Sequence, residues 1–196
     1  MKQLLQKIQQ YGDQQAFKQL YQLLFFRLYQ FAYAFVHSKE NAEEVVNDVF
    51  LRLWQKRAEL DTIINLEVYL YIAVKNAALN HLRENKIAEP ASLEDLTVHH
   101  LHIAPNPESL LISRELQAQI WEAIEQLPPR CRMIFKLIKE DGLSYKQVAG
   151  ILDISVKTVD VQLYLALKKL STILRPSPPG LKQLVKGITS GGKKIS

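Results

Sequence analysis

The sequence predicts an all-α protein made of two small helical domains joined by a flexible linker. Apolar residues recur at three- and four-residue steps along most of the chain, and no alternating strand pattern accompanies them. The periodicity stops in a proline-containing segment near the middle. A chain of 196 residues has room for one or two domains. We therefore predict domains at 1–84 and 109–174, a linker at 85–108 and a disordered basic tail at 175–196.

Three long amphipathic helices are predicted in the first domain, over Asp13–Val36, Lys39–Arg57 and about Asn65–Glu84. Ser38 stands at the N-cap position of the second helix, and glutamates crowd its first turns, where they favour the helix dipole. The predicted core side of the third helix consists of Leu66, Leu70, Ala73 and Ala77.

The second domain is predicted to contain four shorter helices. Periodicity resumes near Ser109 and breaks at Pro128, where a new helix begins with proline at its first position. Further along, Ser144 and Gln147 form a capping-box pattern, and Ser155 is placed to cap the next helix. The two capped helices are separated by a short turn over residues 152–154.

The two capped helices are predicted to form a helix-turn-helix. Ala149 is small enough for a close helix crossing, and Val159 supplies a branched apolar residue on the second helix. The predicted inward residues of this helix are Val156, Val159, Leu163, Ala166 or Leu167, and Leu170. The predicted outward residues are Lys157, Thr158, Val161, Gln162, Tyr164, Leu165 and Lys168. Such a helix fits a DNA major groove about 12 Å wide, whereas an ordinary helical hairpin is the alternative.

Composition excludes several classes of protein. Only 7 glycines are present and none forms a phosphate loop, which argues against a nucleotide-binding enzyme. The single cysteine, Cys131, fits a reducing cytoplasm and is expected to pack on a helix face. The longest apolar run is about six residues and Met1–Gln10 lacks a continuous apolar stretch, so neither a membrane span nor a secretory signal is predicted. We predict no enzyme activity and no cofactor, because the sequence contains no catalytic triad, no paired carboxylates and no ligand spacing. We predict no metal, because the histidines at 99, 100 and 102 lack a rigid scaffold.

The charge distribution is uneven and gives weak support to a polyanionic partner. The formal net charge is +5. Residues 109–175 carry ten basic and seven acidic groups, whereas residues 86–108 carry one basic and four acidic groups. A positive second half is compatible with nucleic acid.

Residues 13–174 resemble the extracytoplasmic-function (ECF) sigma factors of bacterial RNA polymerase. The block from Leu127-Pro128-Pro129-Arg130 through Leu170 is similar to sigma region 4, which recognises the −35 promoter element in that family. The first block is similar to region 2, which binds the polymerase clamp helices and opens the −10 element. The resemblance implies core RNA polymerase and promoter DNA as partners, together with a membrane-linked anti-sigma factor. It also implies a cytoplasmic, nucleoid-associated location without membrane insertion.

The resemblance assigns polymerase binding to the second predicted helix, because residues 42–50 are similar to region 2.2. Acids and amides beside one exposed leucine would suit a groove with basic groups and a hydrophobic pocket. A solvated charged face is the alternative. The predicted polymerase-binding residues are Glu44, Asn47, Asp48, Leu51 and Gln55.

Residues 69–76 resemble regions 2.3 and 2.4, which implies recognition and opening of the −10 element. Opening requires aromatic side chains that replace lost stacking, amides that bond to bases and cations that bind phosphates. The predicted residues are Tyr69, Tyr71, Lys75, Asn76, Asn80 and Arg83. The family often has Trp in place of Tyr69 and Asp in place of Asn80, which puts base preference near Asn80 in doubt.

The predicted −35-binding residues lie on the second helix of the helix-turn-helix. They are Ser155, Lys157, Thr158, Val161, Gln162 and Lys168. Asp153 stands where the family usually has glycine, but aspartate tolerates the left-handed conformation. Gln162 and Leu165 replace residues that are basic in many relatives; Gln162 could recognise adenine, but Leu165 cannot bind a phosphate. We therefore expect region 4 to bind DNA weakly by itself.

A second hypothesis remains at this point: a free-standing helix-turn-helix regulator with an N-terminal dimerisation domain. It predicts stable binding to a palindromic site without polymerase. For the sigma factor hypothesis, residues 84–108 extend to at most about 80–90 Å, which spans two promoter elements about 50 Å apart. The acidic linker could follow the RNA channel of polymerase or act only as a solvated spacer.

Overall fold

The structure is a computed structural model that describes residues 1–84 and 114–174. The chain divides into two compact units, and each is described separately. No strand occurs in these two ranges, so the predicted all-α class is confirmed. The helices are α1 (Lys2–Tyr11), α2 (Gln14–Val36), α3 (Lys39–Gln55), α4 (Leu66–Glu84), α5 (Arg114–Glu125), α6 (Pro129–Lys139), α7 (Tyr145–Leu152) and α8 (Val156–Ile173). The predicted linker at 85–108, the tail at 175–196, and the histidines at 99, 100 and 102 lie outside the described residues.

The first unit is a bundle in which α2 contacts α1, α3 and α4. The side chain of Asp13 accepts hydrogen bonds from the amides of Gln15 and Ala16 and so begins α2. Ser38 begins α3 in the same way, by accepting from the amide of Asn41. Five of the seven apolar positions whose spacing predicts α2 are buried: Leu20, Leu24, Leu28, Phe31 and Phe35. The other two, Phe17 and Tyr21, are half-buried.

Helix α1 was not predicted from the sequence, although it is part of the first unit. It contacts α2 and a 3-10 helix at Arg57–Thr62. Ile8 is completely buried, and Nε2 of Gln9 donates a hydrogen bond to the carbonyl of Ala58 at 3.0 Å. The helix ends at Gly12, whose φ of 59° lies in the left-handed region that glycine adopts easily.

The predicted core side of α4 was only partly correct. Leu66 and Leu70 are buried, but Ala73 and Ala77 are only half-buried. Because α4 contacts both α2 and α3, it buries a wide face. Apolar residues occur on most sides of this helix, so their spacing alone did not identify that face. The buried residues are Leu66, Leu70, Tyr71, Val74, Ala78 and Leu82.

In the second unit, α8 contacts α5, α6 and α7. Helix α6 begins with Pro129 at its first turn, as predicted. The buried guanidinium of Arg132 forms an ion pair with Glu125, with an Nη1–Oε2 distance of 2.6 Å. It also donates to the carbonyls of Glu125 and Leu127. Arg132 therefore ties the end of α5 and the following turn to α6, and these partners offset the cost of burying its charge.

Among the described residues, no helix combines the length and apolar character that crossing a bilayer requires.

Candidate functional site

The predicted polymerase-binding residues share one exposed side of α3. The opposite side is buried through Val45, Val46, Val49 and Leu53, so the helix is strongly two-faced. Leu51 is 55% exposed and lies one turn after Asp48 and one turn before Gln55 on this side. All five predicted residues are exposed: Glu44, Asn47, Asp48, Leu51 and Gln55.

A row of aromatic rings on α2 borders this exposed side of α3. The hydroxyl of Tyr21 donates to Oδ1 of Asn47 at 2.8 Å, which fixes the orientation of that amide. Partial burial raises the pKa of Tyr21, and the charge of Glu43 raises it further. The rings of successive members stack from Tyr21 onward; the row consists of Tyr21, Phe25, Tyr29 and Tyr33.

The aromatic row was missed in the sequence analysis, although its four-residue spacing is visible there. It continues towards Trp54 of α3 through Phe17, whose ring lies 4.9 Å from the Trp54 ring. The guanidinium of Arg57 lies 4.8 Å from the centre of the Trp54 ring, in cation–π geometry. Phe17 and Tyr21 both contact the ring of the buried Phe50, which joins the aromatic row to Trp54.

The exposed side of α4 holds most of the predicted −10-binding residues. Tyr69 presents an aromatic ring near the start of the helix, while Lys75 is half-buried. The exposed polar members are Asn76, Asn80 and Arg83. The start of the helix is fixed because Oδ1 of Asn65 accepts from the amide of Val68 at 3.1 Å.

The assignment of Tyr71 to DNA binding is wrong. Its side chain is only 4% exposed, and its ring contacts Phe31 edge-to-face at 5.0 Å. Tyr71 lies within the motif of residues 69–76, but it points into the bundle two residues after the exposed Tyr69. A buried ring cannot stack on a DNA base unless the first unit opens.

The sequence analysis also missed Ile64, which is fully exposed in the connection before α4. Full exposure of an isoleucine is uncommon, and here it occurs five residues before the exposed aromatic Tyr69. The sequence signal for this exposed residue was the apolar pair Ile63-Ile64 in the connection before α4. The start of α4 therefore offers both an aliphatic and an aromatic side chain to a partner.

The predicted helix-turn-helix is present in α7 and α8. The capping box is complete, with Ser144 and Gln147 each accepting from the other's backbone amide. Asp153 adopts a left-handed φ of 56° in the turn, as expected at this position. Ser155 begins α8 by accepting from the amide of Thr158 at 3.0 Å.

The exposed side of α8 contains most, but not all, of the predicted DNA-binding residues. Lys157, Val161 and Lys168 are exposed, whereas Thr158 and Gln162 are half-buried. Oε1 of Gln162 accepts a hydrogen bond from Sγ of Cys131 at 3.0 Å. Gln162 therefore lies at the edge of the interface with α6 and does not face outward as predicted.

Two further residues of the second unit, Val156 and Cys131, were predicted to pack against neighbouring helices. Val156 does not pack inward as predicted, because it is 43% exposed in the first turn of α8. Cys131 is buried on α6, as predicted, and burial raises the pKa of its thiol. Asp160 is exposed, and its charge contributes to raising the pKa of Tyr145, after the larger effect of burial.

Two family models match the chain in the order of the two units. "Sigma-70 region 2" matches residues 17–87, and "Sigma-70, region 4" matches residues 117–170. Together they cover more than half of the chain. The first match contains α3 and α4, and the second contains the helix-turn-helix.

Curated relatives align over nearly the whole chain. The ECF RNA polymerase sigma factor SigW of Bacillus subtilis is 28% identical, and the alignment covers 84% of this chain and 91% of that protein. The ECF RNA polymerase sigma-E factor of Escherichia coli is also 28% identical, with 88% and 93% covered. The RNA polymerase sigma-H factor of Pseudomonas aeruginosa is 26% identical, with 89% and 93% covered.

Two solved structures share the fold at 23% identity. CnrH, solved with the cytosolic domain of CnrY, matches with a TM-score of 0.51 and covers 89% of this chain and 97% of its own. The sigma factor RpoE of Bartonella quintana, solved with the anti-sigma factor NepR, matches with a TM-score of 0.54 and covers 83% and 98%.

The helical bundle, the helix-turn-helix and their order along the chain define a sigma-type transcription initiation factor. The chain belongs to the ECF sigma factors of bacterial RNA polymerase. Its function is to direct polymerase to specific promoters, and this function is favoured over a free-standing helix-turn-helix regulator.

Proposed function

We propose that the chain initiates transcription through three surfaces, each carried by one helix. The exposed side of α3 binds core polymerase, the exposed side of α4 binds and opens the −10 element, and the exposed side of α8 binds the −35 element. The observation that supports this proposal most strongly is the two-faced character of α3, whose exposed side carries two acids followed by one exposed leucine. Under this proposal the chain catalyses no reaction itself and acts on the nucleoid in the cytoplasm.

The polymerase surface combines charge with a single apolar anchor. Glu44 and Asp48 lie one turn apart on the exposed side of α3 and favour a basic partner. Leu51 lies one turn beyond Asp48 and would fill an apolar pocket when the two proteins bind. The hydrogen bond from Tyr21 holds Asn47 in place at the edge of this surface.

The −10 surface has the chemical groups that DNA opening requires. Tyr69 provides a ring on which an unstacked base can stack, and Ile64 provides an aliphatic side chain before the helix. Asn76 and Asn80 offer amides for base edges, and Arg83 offers a cation for phosphate. With Tyr71 removed, the members of this surface are Tyr69, Lys75, Asn76, Asn80 and Arg83, to which we add Ile64.

The −35 surface is centred on α8, with Ser155, Lys157, Val161 and Lys168 exposed. Lysines at both ends can approach the phosphate strands while the middle of the helix faces base edges. Gln162 and Thr158 lie at the border of this surface. Few cations are present, so we expect weak DNA binding without polymerase.

We further propose that an anti-sigma factor, itself linked to a membrane, masks these surfaces until a signal releases the chain. The similar folds of CnrH and of RpoE were both solved with partner proteins, one of them named an anti-sigma factor. The exposed apolar side chain of Leu51 on α3 suits reversible cover by a protein.

The polymerase surface is tested by a triple variant, Glu44→Ala, Asp48→Ala and Leu51→Ala, in the full chain. We expect at least a tenfold loss of affinity for core polymerase, because an apolar anchor and two charges are removed together. The matched control also replaces one exposed leucine and two exposed acids by alanine, at Leu23, Glu59 and Asp61. Leu23 is 54% exposed, close to the 55% of Leu51. Affinity is measured by fluorescence anisotropy of the labelled chain against core enzyme. Normal binding by the triple variant would show that α3 is not the polymerase surface.

A further inference from the structure

The exposed side of α8 is apolar in its middle, which is unusual for a helix that binds DNA. Within residues 118–174, every large apolar side chain that is substantially exposed lies on α8: Val156, Val161, Tyr164 and Leu165. Burial of Val159, Leu163, Ala166 and Leu170 fixes the inward side of the helix. At about 100° per residue, the last three of the four exposed residues lie opposite that inward side.

Two lysines flank this apolar patch, which we define as Val161, Tyr164 and Leu165. Lys157 precedes it and Lys168 follows it on the same side of the helix, and both are exposed. At about 1.5 Å per residue, their backbones are about 16 Å apart along the helix axis. The two ammonium groups can therefore bind backbone phosphates on either side of the apolar patch while the patch faces the base edges.

The chemistry of the major groove limits what the patch can recognise. Base edges present hydrogen-bond donors and acceptors there, and the C5-methyl of thymine is their principal apolar group. The side chains of Val161 and Leu165 cannot form hydrogen bonds, so they can distinguish bases only by apolar contact. Gln162, the one amide nearby, is half-buried, and its Oε1 accepts a hydrogen bond from the thiol of Cys131.

We propose that Val161 and Leu165 are specificity-determining residues that recognise thymine methyl groups in the −35 element. The inference rests on the proposed function, in which α8 binds that element. Lysines at both ends of the patch favour DNA over an apolar protein as its occupant. The −35 element of this chain should therefore contain thymine, on either strand, at the positions that Val161 and Leu165 contact.

The test uses the full chain with core polymerase and promoter templates whose −35 region is randomised. Templates that support run-off transcription are enriched, and each enriched thymine is then replaced by deoxyuridine, which removes only the methyl group. We expect deoxyuridine at a contacted position to lower promoter use about fourfold, the value of one methyl removed from an apolar contact. The variants Val161→Gln and Leu165→Gln should lose this discrimination, because glutamine preserves helix propensity but not apolar contact.

Val156→Gln is the matched control, because Val156 is 43% exposed and Val161 is 45% exposed on the same helix. Five residues separate them, which places Val156 about 140° away around the helix. This variant should discriminate thymine from deoxyuridine as the unaltered chain does. Equal use of both templates by the unaltered chain, or enrichment without thymine, would overturn the inference alone. Failure to enrich any −35 sequence would overturn the proposed role of α8 as well.

Discussion

At the residue scale, Glu140 at the end of α6 is an acid in an unfavourable environment. Its Oε1 is shielded from solvent and has no hydrogen-bond partner among the described residues. Burial raises the pKa of Glu140 to about 7, and the charges of Asp141 and Glu125 act in the same direction against the opposing Lys136. The folded unit therefore favours the protonated acid.

The raised pKa predicts that the second unit loses stability as pH rises. The stabilising contribution is complete below the unfolded pKa, near 4.5, and is lost as pH passes through about 7. Glu140→Gln should therefore stabilise the unit at pH 8 by about 2 kcal/mol, allowing for partial solvent screening, and should have little effect at pH 4.5. Hydrogen exchange of α6, compared between variants at the same pH, measures this. The exposed Glu122→Gln should show no such dependence; a destabilised Glu140→Gln at pH 8 would refute the assignment.

Tyr69 provides a second prediction at this scale, because only its ring is needed for stacking. Tyr69→Ala should lower the amount of open promoter complex about tenfold, while Tyr69→Phe should retain nearly all of it. Permanganate reactivity of −10 thymines measures opening, and affinity for core polymerase provides the control. If the alanine variant opened promoters normally while binding core normally, the role of Tyr69 would be refuted.

At the scale of elements, α1 is an integral part of the first unit. Ile8 is completely buried where α1 contacts α2 and the 3-10 helix. Ile8→Ala should destabilise the first unit by about 2–5 kcal/mol, the usual cost of a cavity in a core. Thermal unfolding, combined with hydrogen exchange of α2, measures the loss. Leu23→Ala, at an exposed position of α2, should change stability by less than about 0.5 kcal/mol; equal effects of both variants would show that α1 packs only loosely.

Elements with strong local signals were predictable from the sequence. Helices α2 and α3 have regular apolar spacing, and Ser38 caps its helix through a neighbouring amide. The helix-turn-helix was predictable for the same reason, because Ser144 and Ser155 form their capping bonds within three residues. These interactions depend on residues close in sequence and need no knowledge of tertiary packing.

The failures occurred where packing between elements decides the outcome. Tyr71 lies in a helix that is apolar on most sides, and only contact with Phe31 of α2 shows that it is buried. Gln162 was predicted to face outward, but its hydrogen bond to Cys131, 31 residues earlier in the chain, holds it at the border with α6. The roles in polymerase and DNA binding remain predictions, because exposure identifies a surface but not its partner.

At the scale of the whole molecule, the proposed function divides promoter recognition between the two units. Under this proposal the first unit provides the polymerase surface and the −10 surface, and the second unit provides the −35 surface. Weak affinity of α8 for DNA suits this division, because two linked contacts raise overall affinity without requiring either contact to be strong. Stable promoter binding should therefore require core polymerase, which holds both units on the same DNA.

The most direct test of this account compares promoter use with and without core polymerase. Run-off transcription is measured on a genomic promoter library with the full chain and core enzyme, and DNA binding by the chain alone is measured on the same templates. We predict initiation at a discrete set of promoters only when both proteins are present, with little binding by the chain alone. Tight, two-fold symmetric binding to DNA without polymerase, and no promoter-specific transcript with it, would contradict the account.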